Sequence, residues 1–279
     1  VTAPAQLTSA DLGDLLLEVE GGVARITLNR PQMANAITAT QRNQVIDWIE
    51  AANEDAFIRC IVLGANGKHF CTGADLRQEG VQPARPEGAP DQLVGDRRRV
   101  MLQGAIRLVS TILDSEKPII AAVQGTAAGI GCHIAFACDL VIASDSAKFI
   151  EVFARRGLTA DGLGTWLLPR LIGLQRAREL ILLAEDVSPQ RAADIGLITR
   201  CVPADEFDAT IADLAARLAN GPTKAHTVNK WLLNRSFDMD RSTLAQAESW
   251  IVDIMSNTYD AGEGVASFVE RREPRYRGF

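Results

Sequence analysis

The sequence predicts an α/β fold, and three observations carry that prediction. Short β-branched runs alternate with amphipathic segments as far as Pro203, a glycine pair punctuates two early strand patterns, and only helical patterns follow Pro203. The alternating part, residues 1–203, reads as an α/β core. Residues 204–279 read as a separate helical region.

Leu15–Glu20 and Val23–Asn29 flank Gly21-Gly22, where adjacent glycines supply the positive φ angles that a tight hairpin needs. Thr38 with Gln41 reads as a capping box that opens a helix to about Asn53, with Val45, Ile46, Ile49 and Ala52 on one face. A buried strand follows over Ile58–Leu63. The order then repeats: a helix over Asp96–Leu113, a strand over Pro118–Val123, a helix opening at Gly129 and a strand over Leu140–Ala143. Strands separated by helices imply parallel pairing through crossovers. Gln78–Gly95, rich in Pro, Gly and charge, reads as a surface loop placed to cover a site beside the preceding Gly-Ala-Asp. Helical periodicity recurs over 204–219, 222–234, 241–258 and 262–272, in a block expected to cover something other than the sheet, such as a neighbouring subunit.

Composition excludes several classes of function. The chain has 279 residues, 47% of them apolar and 23% charged, enough to bury a large core. A net charge of −6 argues against nucleic acid, whose phosphates require concentrated Lys and Arg. The opening VTAPAQLTSADLGD resembles a loose polar tail rather than a signal peptide, and no apolar run approaches the roughly 20 residues that span a bilayer. A cytoplasmic protein without membrane contact is expected. The five cysteines lie in apolar segments, which suits reduced, buried thiols, and no CxxC or histidine pair suggests a metal. Gly129-Ile130-Gly131 lacks the third glycine of a dinucleotide fingerprint, since Ile134 stands there.

Two segments suggest chemistry. Phe70–Asp75 (FCTGAD) and Pro118–Gly131 (PIIAAVQGTAAGIG) each place small residues after a β-branched run, where bare backbone N–H groups can converge. Such a pair is what a carbonyl oxygen needs if it must carry negative charge during a reaction, and losing one donor typically costs about 3–4 kcal/mol of transition-state stabilisation.

Asn29-Arg30-Pro31 with Asn35-Ala36, FCTGAD, AAVQGTAAGIG, Cys138-Asp139-Leu140 and the late EGVASFVERR together resemble the crotonase family of enoyl-CoA hydratases and isomerases, over about Leu15 to Arg272. Ala147–Gly173 is most similar to the ring-1,2-epoxyphenylacetyl-CoA isomerase type. The resemblance implies a spiral of ββα units with a C-terminal helical trimerisation region. It implies an acyl-CoA substrate whose coenzyme A arrives as part of the thioester, no separate cofactor, and a homotrimer or dimer of trimers. By the same resemblance Ala74 and Ile130 supply the two N–H donors, and Gly73 and Gly129 flank them. Asn29, Pro31, Ala34 and Asp75 contact substrate. Phe268 and Arg271, from a neighbouring subunit, hold the adenine end.

The two glutamates that the family's hydratases use fall on His133 and Phe153, so the acid–base pair needed to add water is missing. Asp161 matches the isomerases' aspartate, in Ala160-Asp161-Gly162-Leu163-Gly164 rather than the usual Pro-Asp, small residue and two glycines. It reads either as the base of a double-bond isomerisation through an enolate or as a helix N-cap. His133 reads as a proton carrier or a packed imidazole, Glu151 as a substitute base sharing a strand face with Phe153, and Phe153 as the wall of a dry acyl pocket. Phe268 and Arg271 read equally as core and solvated residues. Two alternatives stand beside the isomerase: an atypical hydratase with His133 positioning water, and a non-catalytic acyl-CoA binder.

Overall fold

The computed structural model describes residues 6–77 and 85–279. In chain order its strands are β1 (Ala10–Asp11), β2 (Leu15–Glu20), β3 (Val23–Leu28), β4 (Cys60–Ala65), β5 (Ile119–Val123), β6 (Thr126–Ala128), β7 (Leu140–Ser144), β8 (Lys148–Ile150), β9 (Asp186–Val187) and β10 (Arg200–Val202). Its helices are α1 (Ala39–Glu54), α2 (Asp96–Met101), α3 (Arg107–Leu113), α4 (Ile130–Phe136), α5 (Gly164–Leu183), α6 (Pro189–Asp194), α7 (Phe207–Ala219), α8 (Thr223–Arg235), α9 (Arg241–Met255) and α10 (Tyr259–Glu270). One sheet runs β1-β2-β3-β4-β5-β7-β10, antiparallel as far as β3 and parallel beyond it. A small second sheet runs β6-β8-β9.

The early elements follow from local chemistry. Gly21 and Gly22 take φ of 56° and 79°, the mirror-image turn that matches the twist of β2 and β3. The Thr38 hydroxyl accepts from the Gln41 N–H while the Gln41 side chain accepts from the Thr38 N–H, so both halves of the capping box form. Along β4, β5 and β7 the side chains alternate between two cores. Ile61, Leu63, Ile119, Ala121, Val141 and Ala143 face α1, α3 and α4, while Cys60, Val62, Ile120, Ala122 and Ile142 face α7.

The second layer produces the spiral of ββα units. After β3, Ile37 bridges Ala74; after β4, Cys71 bridges Ala127; β5 leads through β6 to α4, and β7 leads through β8 towards α5. Each turn of the chain therefore passes a main-sheet strand, a short second-layer strand and a helix.

Several expectations need correction. The block after Pro203 does not leave the sheet entirely, because Phe207, Ile211, Leu214 and Ala215 of α7 pack on its outer face. The opening segment is not loose from Leu7 onward, since the Leu7 N–H donates to Asp55 and β1 pairs with β2. The helix expected over Asp96–Leu113 contains a π-helical segment (Leu102–Ile106) around Gly104, where a Cβ would lie 2.6 Å from Arg42 Nη1. Of the expected Gln78–Gly95 loop, residues 78–84 lie outside the described residues, and 85–95 contain neither helix nor strand. Among the described residues no helix is long and apolar enough to cross a membrane.

Candidate active site

The loop after β3 is held by a polar network. Asn35 is buried in the left-handed region at φ 52°, accepts from the Arg30 N–H at 2.8 Å and donates to the carbonyls of Asn66 and His69 at 2.9 and 2.7 Å. Asn29 is tied to Gly13 and Asn66, Pro31 opens a short 3-10 turn, and the Ala34 carbonyl accepts from both the N–H and the hydroxyl of Thr72. Ala34 is thus fixed against the Phe70–Asp75 loop, while Asn29 is held to the Asn66 segment just ahead of it. Asp75 accepts from Arg77 at 2.9 Å and Arg30 at 3.1 Å, and these partners, Arg77 first, hold its carboxyl down at about 2. Its carboxylate is therefore engaged in fixing this loop.

Two N–H groups are left over from this scaffolding. The Ile37–Ala74 bridge uses the Gly73 carbonyl and the Asp75 N–H, so the Ala74 N–H points the other way. Ile130 is the first residue of α4, ahead of the first intrahelical donor, and the Gly129 carbonyl already serves Cys132 and His133. The two loops are drawn together by the Cys71–Ala127 bridge and by Gly131, where a Cβ would lie 2.1 Å from the Cys71 carbonyl oxygen. Only glycine permits that approach. In the second loop the positive φ lies on Gly129 (55°) and not on Ile130, so the β-branched side chain is spared the left-handed region.

Behind these donors lies a group of titratable side chains. His133, fully buried on α4, contacts Glu151 through Nε2 at 2.9 Å, and Phe153 stacks on its ring at a centroid distance of 5.5 Å and 13° between planes. Glu151 lies just beyond β8 and Phe153 in the following turn, which corrects the expectation that they share a strand face. Asp161 does not cap α5: Leu163 holds the N-cap position at φ 64°, no side chain caps the helix, and Asp161 Oδ1 has no partner. Burial pushes the half-buried Asp161 carboxyl up, with His133 opposing and Glu151 adding to that shift. Gly162 seats this turn, since a Cβ there would lie 2.4 Å from Ile130 Cδ1. Leu163 departs from the two-glycine pattern at the ~1–2 kcal/mol cost of a left-handed non-glycine.

Phe268 and Arg271 form no hydrogen bond or ion pair with the described residues of this site in the single chain. Phe268 is 85% exposed, so it is no core residue, and Arg271 ends α10 at φ 55°. The pairing of Glu151 with His133 was not legible in the sequence, because the residues lie eighteen positions apart and meet only through the β6-β8 layer. Burial raises the thiols, Cys60 to about 12 and Cys71 to about 11, so they stay protonated. No group of three or more potential metal ligands occurs among the described residues.

With two N–H donors set ahead of a desolvated carboxylate, the arrangement suits proton chemistry beside a carbonyl. The family model for enoyl-CoA hydratase/isomerase matches residues 18–278, and the chain belongs to that family. It is 35% identical over 264 residues to a 1,2-epoxyphenylacetyl-CoA isomerase of Escherichia coli, covering 95% of this chain and 98% of that one. It is 33% identical over 268 residues to a short-chain-enoyl-CoA hydratase of Clostridium acetobutylicum, covering 94% and 97%. The fold superimposes on an enoyl-CoA hydratase structure from Bacillus anthracis with a TM-score of 0.86 at 28% identity, covering 95% and 100% of the two chains. The chain is therefore an enzyme of the crotonase type acting on acyl-CoA.

Proposed function

We propose that this enzyme moves a double bond within an acyl-CoA thioester, with Asp161 as the base. The thioester oxygen lies between the N–H groups of Ala74 and Ile130. Asp161 removes a proton made acidic by conjugation with that carbonyl, the electron pair moves onto the oxygen as an enolate, and a proton is returned at another carbon. The observation that supports this most is the Asp161 carboxylate: half-buried, raised by burial and with Oδ1 unpartnered, it matches the demands on a base rather than on a cap. Gly73 and Gly129 allow the close approach, Phe153 walls the acyl pocket, and Asn29, Pro31, Ala34 and Asp75 shape the thioester end. In a trimer or dimer of trimers, Phe268 and Arg271 of a neighbouring subunit take the adenine end, a guanidinium being able to pair with phosphate at two points.

A hydratase reading has one observation in its favour, the buried His133–Glu151 pair, which would orient water. The two are separated by incubating an enoyl-CoA panel in deuterium oxide and following products by mass spectrometry. Deuterium entering the α or γ carbon together with the shifted double bond is the expected result. A β-hydroxyacyl product forming faster than exchange would overturn the isomerase.

A further inference from the structure

Three buried polar atoms without a partner gather in one place: His133 Nδ1, Glu151 Oε1 and Asp161 Oδ1. Each such atom typically costs about 1–3 kcal/mol, so their clustering sets this place apart from the rest of the interior. His133 is held from several sides. Phe153 stacks on its ring, Glu151 takes Nε2 at 2.9 Å, and a Cβ at Gly164 would lie 2.1 Å from Nε2. The ring cannot exchange its two nitrogens without breaking the Glu151 contact. Nδ1 is turned towards the Asp161 segment, where a Cβ on Gly162 would lie 3.5 Å from it.

An ionised carboxylate can only accept hydrogen bonds, so a Glu151 carboxylate facing Nε2 requires the proton to sit on Nε2. We propose that Glu151 is a positioning residue that fixes His133 in the tautomer with a bare Nδ1, making Nδ1 the second proton carrier beside Asp161. The tautomer stands on the Glu151 contact alone; the proton path rests on the isomerase reading above. In that path the C–H bond at one carbon breaks and its proton goes to Asp161, while the electron pair moves to the thioester oxygen. Asp161 passes the proton to Nδ1, giving an imidazolium neutralised by Glu151. The imidazolium returns it to the other carbon as the enolate pair closes the new C–H bond, so no proton is gained or lost. The division relieves Asp161 of reaching both carbons from one position.

Among the described residues, the titratable groups around His133 are Glu151, beyond β8, and Asp161, ahead of α5. The neighbouring Cys132 thiol on α4 is raised by burial and by Glu151, and is therefore uncharged. The π-helical segment offers Ala105 and α5 offers Gly164 to this region, neither of them charged.

The test is nitrogen-15 NMR of the imidazoles in the substrate-free protein, with His133 assigned by the signal lost in His133→Gln. The expected result is a protonated Nε2 and an unprotonated Nδ1 in the wild type, reversed in Glu151→Gln, whose amide can donate to Nε2, and preserved in Glu151→Asp. A protonated Nδ1 in the wild type would overturn the proposal. In turnover, Glu151→Gln is expected to lower kcat about 100-fold with KM within a few-fold, the usual scale for a positioned acid or base. In the His133→Gln background the same change should add almost nothing, because Glu151 acts through His133. An equal loss in both backgrounds would overturn the proton-carrying role. Asp161→Asn is assayed separately, so a failure of the isomerase reading shows there and leaves the tautomer result intact.

Discussion

The Asn29–Asp75 side of the site and its interior are built on opposite rules. Around Asn35, Arg30 and Asp75 the buried polar groups find partners, several of them more than thirty positions away in sequence. Around His133, Glu151 and Asp161 three polar atoms are left open. Native interiors rarely tolerate such atoms, and where they persist together the protein gives up stability for reactivity. The first region holds the Ala74 donor in place; the second holds charge in a form ready to move protons. Substitutions in the two regions should therefore differ in kind: stability in the first, turnover in the second.

Asp161→Asn gives the largest effect. Removing the proton acceptor at nearly constant shape is expected to lower kcat by about 10²–10⁴-fold while acyl-CoA affinity stays within a few-fold. The same change should stabilise the protein at neutral pH. The folded-state carboxyl is raised, so its ionised form is the one that burial penalises. That penalty is absent below the ordinary carboxylate range and complete above the raised value. Urea midpoints should favour the variant at pH 7, with the gap closing as pH falls. Activity within a few-fold of wild type, or an asparagine variant less stable at pH 7, would break the comparison.

Asn35→Ala is expected to act the other way, lowering stability by about 2–3 kcal/mol because it strips partners from the Arg30 N–H and two carbonyls and puts alanine in the left-handed region. Denaturant unfolding measures it. A loss below about 0.5 kcal/mol would mean that these bonds do not hold the loop.

How much of this was legible beforehand depended on range. The Gly21-Gly22 hairpin, the Thr38–Gln41 box and the opening of α4 at Gly129 were readable because each is decided within a few residues. The second layer was not, since Ile37, Cys71, Ala74 and Ala127 make single bridges and β6 and β8 have three residues each, too short for a period to show. That layer brings Glu151 to His133, so the pairing was hidden with it. α7 was misplaced for a related reason: its apolar face is visible in sequence, but the face it covers is the alternate set of β4, β5 and β7 residues. The site positions came from the family resemblance, not from periodicity.

The smallest expected effect lies in Asp75 and depends on pH. Arg77 and Arg30 hold its carboxyl at about 2, below the ordinary value of about 3.9. Because the folded-state value is depressed, the stabilisation is complete above the unfolded value and is lost as pH falls through about 2. Asp75→Asn should therefore be slightly less stable than wild type at pH 5–7, the two urea midpoints should converge below about pH 4, and kcat should fall far less than in Asp161→Asn. A stability gap that stays constant down to the lowest pH would mean that Asp75 works through shape, and that charge is not what distinguishes the rim of this site from its interior.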